Sequence, residues 1–261
     1  MCVAAIAWMA HPRWRLVAIG NRDEFHARPA APVARWDDGS GIIAGRDLQS
    51  GGTWLGVSES GRFALVTNLR GYGAPDPART SRGALVTDLL PGRGRYGDPA
   101  TAALEDFNPF NLLLADGATA MFLTNRPEPL RIQLAHGIYG LSNGALDEPW
   151  HKTMALKEAL LDWLIAGTTD VDPLFASLRS EKLPGVGVTP RAPSDVSFEP
   201  RDTPPFIHDP VYGTRCSTVV LIDDSGSGTI AERRFDAKGK QTGETTLGFE
   251  RRALALRAAG G

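Results

Sequence analysis

The chain has 261 residues, 42% of them hydrophobic, with 28 Lys and Arg against 30 Asp and Glu for a formal charge of −2. That is enough apolar material for one large core, and it gives no basic footprint of the kind a nucleic-acid partner demands. Two cysteines, at positions 2 and 216, are too few for a disulfide framework, and no apolar run approaches the ~18 residues of a membrane span.

The apolar N-terminus lacks the basic start and cleavage pattern of a secretory signal, so a cytoplasmic protein with reduced thiols and a small-molecule partner is expected. Residues 1–8 and 16–24 flank a turn at His11-Pro12-Arg13 and read as a hairpin that is hydrophobic on both faces. In such a hairpin the Asn21-Arg22-Asp23-Glu24 end of the second strand lies beside the start of the first, where Cys2 sits. Period-2 alternation sends Asn21 and Asp23 to one face, Arg22 and Glu24 to the other. Residues 25–40, with prolines at 29 and 32, read as a surface loop. Short strands at 41–45, 53–57 and 62–68 follow as an antiparallel meander with Gly-rich turns.

Ser81 opens a helix through Leu90, and a second short helix is expected over 98–106. Strands at 111–115 and 119–123 flank Asp116-Gly117, a strong hairpin signal, and two more cover 130–134 and 137–143. Met154, Leu156, Leu160, Leu161 and Leu164 recur at helical spacing between Trp150 and Ile165, and Gly167 ends that run. Prolines crowd 180–210 in an irregular excursion. A β-pair at 216–223 and 229–235 follows, and 251–261 reads as a tail or short helix. Strands in two runs, 1–68 and 110–143 with 215–248, interleaved with helical segments at about 81–106 and 150–179, suit an α+β domain over 1–250, two antiparallel sheets stacked and covered by helices.

Five polar groups at separate strand ends could do chemistry: Cys2, Asp23, Asn68, Asn143 and Arg215. Removal of Met1 would leave Cys2 with a thiol and a free α-amine, whose ordinary pKa values of about 8.5 and 7.7–8.0 let a proton pass between them at small cost. Asp23 could orient the ammonium, and the amides of Asn68 and Asn143 could donate to an oxyanion. Arg215 could hold the charge of Asp23 or of a substrate carboxylate. Taken singly, Asn68 and Asn143 also suit turn positions, and Arg215 could pair with Asp209 or Asp223.

Met1-Cys2 with Asn21-Arg22-Asp23-Glu24 resembles the NRDE family, also called the Transport and Golgi organisation 2 family. So do Gly45-Arg46-Asp47-Leu48 with Gly51-Gly52-Thr53-Trp54-Leu55-Gly56, Thr67-Asn68-Leu69-Arg70, Ser81-Arg82-Gly83, Leu141-Ser142-Asn143 and Tyr212 to Thr218. More distantly, the order is similar to N-terminal nucleophile (Ntn) hydrolases of the choloylglycine hydrolase and penicillin V acylase type. That likeness implies a four-layer αββα sandwich with Cys2 as nucleophile, Asp23 on the amine, Asn68 and Asn143 in oxyanion and positioning roles, and Arg215 in support. The reaction implied is hydrolysis of an amide or thioester of an acyl compound, with no cofactor required. Those hydrolases carry an arginine three residues before the aspartate, a position held here by Gly20, while Arg22 lies on the opposite strand face. The NRDE resemblance also implies an alternative, a non-catalytic protein that binds or moves haem in the same cleft. The five histidines show no paired spacing. His151, His208 and the Cys2 thiolate are the candidate iron ligands, and no other metal is expected.

Overall fold

The uniformly apolar start of the chain has no face to give to water, and in the computed structural model, which describes residues 2–117, 119–183 and 202–250, it gives none. Every residue of β1 (Cys2–Trp8) is buried, as are Leu16 to Asn21 of its hairpin partner β2 (Trp14–Phe25). The chain continues through β3 (Ala30–Arg35), β4 (Ile42–Asp47), β5 (Leu55–Ser58), β6 (Phe63–Asn68) and helix α1 (Arg82–Leu89). Then come β7 (Phe110–Asp116), β8 (Thr119–Thr124), β9 (Leu130–Gln133), β10 (Gly137–Leu141), α2 (His151–Ala166) and α3 (Asp172–Leu178). Three long strands close it: β11 (Tyr212–Asp223), β12 (Gly228–Phe235) and β13 (Gln241–Phe249).

The strands form two sheets, one of six in the order β10-β1-β2-β11-β12-β13 and one of seven running β3 to β9 in sequence. Alternation along β1 and β2 then fixes the layers. Ala4, Ile6, Trp8 and Ala18 meet Leu65, Leu113 and Phe122 of the second sheet between the two. Val3, Ala5, Val17 and Ile19 point the other way, onto Leu156, Leu160 and Trp163 of α2 and Phe175 of α3. On the outer face of the second sheet, Leu85, Val86 and Leu89 of α1 cover Ala64, Leu112 and Leu114. Helix, sheet, sheet, helix is the αββα layering expected for an α+β domain. No helix among the described residues is long and apolar enough to cross a membrane.

Three elements differ from the sequence-based expectation. Residues 30–35 are a strand, not a loop: β3 is the edge of its sheet, and the register shift between Ala31 and Ala34 accommodates Pro32. The helix expected over 98–106 shrinks to one 3₁₀ turn at Leu104–Asp106. Strands 42–68 do not extend the sheet of the first hairpin; the late strands β10 and β11 flank β1 and β2 instead. The 184–201 part of the proline-rich excursion and the expected tail at 251–261 lie outside the described residues.

Two close fits hold the elements that frame the cleft described below. Asn21 is fully buried on the helix side of the first sheet. Its Nδ2 donates to the carbonyls of Leu178 and Pro205, each at 2.8 Å, and its Oδ1 accepts from Ser217 Oγ at 2.6 Å. In the second, a Cβ at Gly52 would lie 2.6 Å from the Gly83 carbonyl carbon, so the first turn of α1 rests directly on the backbone of the loop before β5.

Asn21→Ala leaves two carbonyls and a hydroxyl buried without this partner. It is expected to destabilise the protein by about 3 kcal/mol, read as a lowered denaturant midpoint at unchanged slope. Gly52→Ala meets backbone rather than a movable side chain, and a loss of about 2 kcal/mol or more is expected in the same measurement. A wild-type midpoint for Gly52→Ala would mean the contact is slack.

Candidate functional site

The register of the first sheet sets the site. Cys2 is opposite Arg22 across β1 and β2, and Arg22 is opposite Cys216 across β2 and β11, so these three side chains share the face turned toward the second sheet. They wall a cleft of about 660 Å³ at the sheet ends, completed by Trp54, Asn68, Arg82 and Arg215 among others. The two cysteines are two strands apart, roughly 10 Å, too far for a disulfide.

The start of β1 is tied to both sheets. Ser142 Oγ donates to the Cys2 carbonyl at 2.7 Å, and Thr67 Oγ1 of the second sheet donates to the Ser142 carbonyl at 2.6 Å. Asn143 Nδ2 donates to the Asn68 carbonyl at 2.7 Å, and the Arg70 N–H to the Asn143 carbonyl at 2.9 Å. The stretches Thr67-Asn68-Leu69-Arg70 and Leu141-Ser142-Asn143 therefore meet as one zipper. Asn68 ends at the cleft wall, while Asn143 is 1% exposed and braces it.

Asp23 falls on the helix side of the first sheet, and its carboxyl is 2% exposed. Thr214 Oγ1 donates to its Oδ1 at 2.7 Å, and Tyr212 donates its hydroxyl proton to the Asp23 carbonyl at 2.9 Å. Burial pushes the carboxyl pKa up, against the positive charges of the chain's amino terminus and of Lys152 and the Thr214 bond. Burial likewise raises the Cys2 thiol. The amino-terminal charge, Arg22 and a backbone hydrogen bond from Asp23 work against that rise, and the Asp23 charge adds to it. Cys2 and Asp23 thus sit on opposite faces of one sheet, and the charge of the amino terminus acts on both.

Arg215 is the extra residue of a bulge, because Thr214 pairs with Asp23 and Cys216 already with Arg22. Its guanidinium holds the turn after β2, donating to the carbonyls of Phe25 at 2.8 Å and Arg28 at 2.9 Å, rather than Asp23, Asp209 or Asp223. Arg22 and Arg28 both reach Asp47 Oδ2 on β4, at 2.9 and 2.6 Å, with Glu24 farther off at 3.8 and 3.9 Å. Although burial opposes it, the hydrogen bond from Arg28, the Ser50 N–H and the two arginine charges hold the Asp47 carboxyl below its usual range. Cys216 faces Glu232; burial, the Glu232 charge and a thiol hydrogen bond to that carboxylate push its pKa well up, despite Arg22 nearby.

Two residues of this neighbourhood escaped the sequence reading. Lys152, fully buried in the first turn of α2, donates to Thr203 Oγ1 at 3.0 Å and brings its charge to Asp23. An apolar helical stripe gives no hint of a buried lysine. Arg82 belongs to the quoted Ser81-Arg82-Gly83 motif but carries no spacing signal of its own. Among the histidines proposed as iron ligands, His151 Nε2 lies 3.2 Å from the Lys182 carbonyl and His208 lies 3.7 Å from Glu181, and neither is among the described residues that line the cleft.

The family model described as Transport and Golgi organisation 2 matches residues 1–237. The human Transport and Golgi organization protein 2 homolog is 32% identical over 94% of this chain and 97% of its own length. Two solved structures are similar at low identity. A Caenorhabditis elegans N-acylethanolamine-hydrolyzing acid amidase ortholog, 11% identical, covers 84% of this chain and 92% of its own at a TM-score of 0.48. The C2A mutant of conjugated bile acid hydrolase from Clostridium perfringens, 7% identical, covers 95% of this chain and 92% of its own at 0.46. By the extent of the family match and of the human relative, the chain belongs to the Transport and Golgi organisation 2 family.

Proposed function

We propose that the protein hydrolyses an amide or thioester of an acyl compound, with Cys2 as its N-terminal nucleophile once Met1 has been removed. The observation that carries this reading is a thiol on the wall of a cleft whose own strand end adjoins a buried carboxyl, Asp23, fixed by Thr214. In the first step the neutral α-amine of Cys2 takes the thiol proton and the thiolate adds to the acyl carbon. The tetrahedral oxyanion is met by the side-chain amide of Asn68, which Asn143 braces. Collapse breaks the C–N or C–S bond and gives the proton to the leaving group. Water, deprotonated by the same amine, then attacks the S-acyl intermediate and releases the acid with the thiol restored. Asp23 orients the ammonium and stabilises it while it holds the proton. Arg215 acts through the turn it holds rather than on the reacting atoms.

The alternative, haem carriage in the same cleft, would turn on Cys2 as iron ligand, because no histidine is among the described residues lining it. One variant separates the two. Cys2→Ala is expected to abolish hydrolysis of an acyl-amide and acyl-thioester panel and to leave a haem titration unchanged. Intact-mass measurement of the wild type should show the chain beginning at Cys2, and retention of Met1 in an active protein would sink the mechanism.

The raised Asp23 pKa sets a second test. A carboxyl whose folded pKa lies above its unfolded value of about 3.9 withdraws stability as pH climbs through the folded value. Asp23→Asn keeps an acceptor for Thr214 and removes that penalty. The variant should melt no lower than wild type at pH 7, with the gap closing toward pH 4, while losing hydrolysis by roughly 10²-fold or more. Thermal scans from pH 4 to 8 check this, and a variant that melts clearly lower at pH 7 would show the ionised carboxylate to be a net stabiliser.

A further inference from the structure

The cleft is a positive island on a protein whose formal charge is −2. Seven arginines and five carboxylates line it, and the carboxylates are already engaged. Asp47 takes Arg22 and Arg28, Asp76 takes Arg79, Glu232 takes Arg234, Glu24 leans on Arg22 and Arg28, and Asp23 accepts from Thr214. Arg82 and Arg215 have no carboxylate within ion-pair distance among the described residues. Their described bonds are to backbone carbonyls, Arg82 to Pro109 at 3.0 Å and Arg215 to Phe25 and Arg28. Both are partly buried in the cleft wall. Burial lowers the pKa of each, and arginine neighbours add to the effect, Arg70 and Arg28 for Arg82 and Arg22 for Arg215; the charge of a Cys2 thiolate works the other way on Arg82, that of a Cys216 thiolate on Arg215, and the more distant Glu24 carboxylate on both. Partly desolvated guanidinium groups crowded by like charge are forks waiting for oxygen pairs.

The backbone explains why Arg82 is there. A Cβ at Gly20 would sit 2.9 Å from the Val3 carbonyl and 3.2 Å from the Trp54 ring, so that strand position on the Cys2 face has no room for a side chain of its own. Trp54 covers the gap, and the loop that carries it is pinned at Gly52 to Gly83. The same contact that seats Trp54 over Gly20 delivers the neighbouring Arg82 to the cleft.

We infer that Arg82, with Arg215, makes the cleft beside Cys2 an anion subsite that receives a carboxylate or phosphate group of the ligand. For the proposed hydrolysis, on which the word substrate here rests, this selects acyl compounds that carry such a group.

Alkylation of Cys2 in the full chain tests the subsite whether or not the protein turns anything over. Rates for anionic iodoacetate and neutral iodoacetamide are read at the Cys2 peptide by mass spectrometry and compared with free cysteine. The wild type should favour iodoacetate more than free cysteine does, and the preference should shrink with added salt. Arg82→Gln should cut the iodoacetate-to-iodoacetamide ratio by about fivefold or more, the order expected when one nearby charge is lost in a partly desolvated site, and Arg82→Lys should keep most of it. Slowing of iodoacetamide labelling by inorganic phosphate assigns the subsite to phosphate, and slowing by acetate alone assigns it to carboxylate. The inference is overturned if the wild-type ratio matches free cysteine, if Arg82→Gln leaves it unchanged, or if neither anion protects. A reduced ratio in Arg82→Gln without hydrolysis by the wild type would sink the proposed reaction and leave the subsite standing.

Discussion

The site depends on one serine. Ser142 donates to the carbonyl of Cys2 and accepts at its own carbonyl from Thr67, so the first residue of β1 is fixed by a sheet to which β1 does not belong. A strand end is ordinarily where a sheet frays, because its last groups lack ladder partners. Here those groups are bonded and buried, with Ser142 and Thr67 2% and 1% exposed. The nucleophile proposed at this end needs such a tie, since a shift of 1 Å at the reacting atom is enough to lose much of the advantage of proximity.

The tie also accounts for the electrostatics. Cys2 and Asp23 are on opposite faces of a sheet, and a β-sheet normally insulates its faces from one another. At the strand end the insulation stops, and the charge of the amino terminus acts on both groups. Burial raises both pKa values, disfavouring thiolate and carboxylate alike, and the positive charge of the amino terminus eases both. Lys152 reinforces that balance on the helix side, which gives a reason for a fully buried lysine in the first turn of α2.

The parts of this arrangement that were legible in the sequence are those fixed by local rules. Period-2 alternation sent Arg22 and Asp23 to opposite faces at the strand end beside Cys2, as the register shows, and the apolar helix from Trp150 ends at Gly167 in the left-handed conformation that glycine favours. Asn68 and Asn143 were visible as strand-end amides, but their unequal placement, one at the wall and one behind it, comes from a contact between residues 75 positions apart. The register of β11 decided Arg215: a bulge at that residue turns its guanidinium to the carbonyls after β2, and nothing in Tyr212 to Thr218 announces a bulge. Residues 30–35 escaped for the opposite reason, because proline forbids a central strand and an edge strand tolerates it.

Gly20 is where chemistry and packing meet. A cation delivered from a strand is held by the ladder and sits at a fixed height above the sheet face. One delivered from the first turn of a helix is held only as well as that turn is seated. In this chain the seat is backbone on backbone, Gly52 against Gly83, with no side chain between them to compress or rotate. Such a contact has little freedom to relax, so Arg82 gains from the helix a placement nearly as definite as a strand would give. The glycine that closes one position therefore opens another: Gly20 admits Trp54, the loop that carries Trp54 rests at Gly52 on Gly83 of α1, and the neighbouring Arg82 lines the cleft together with Cys2.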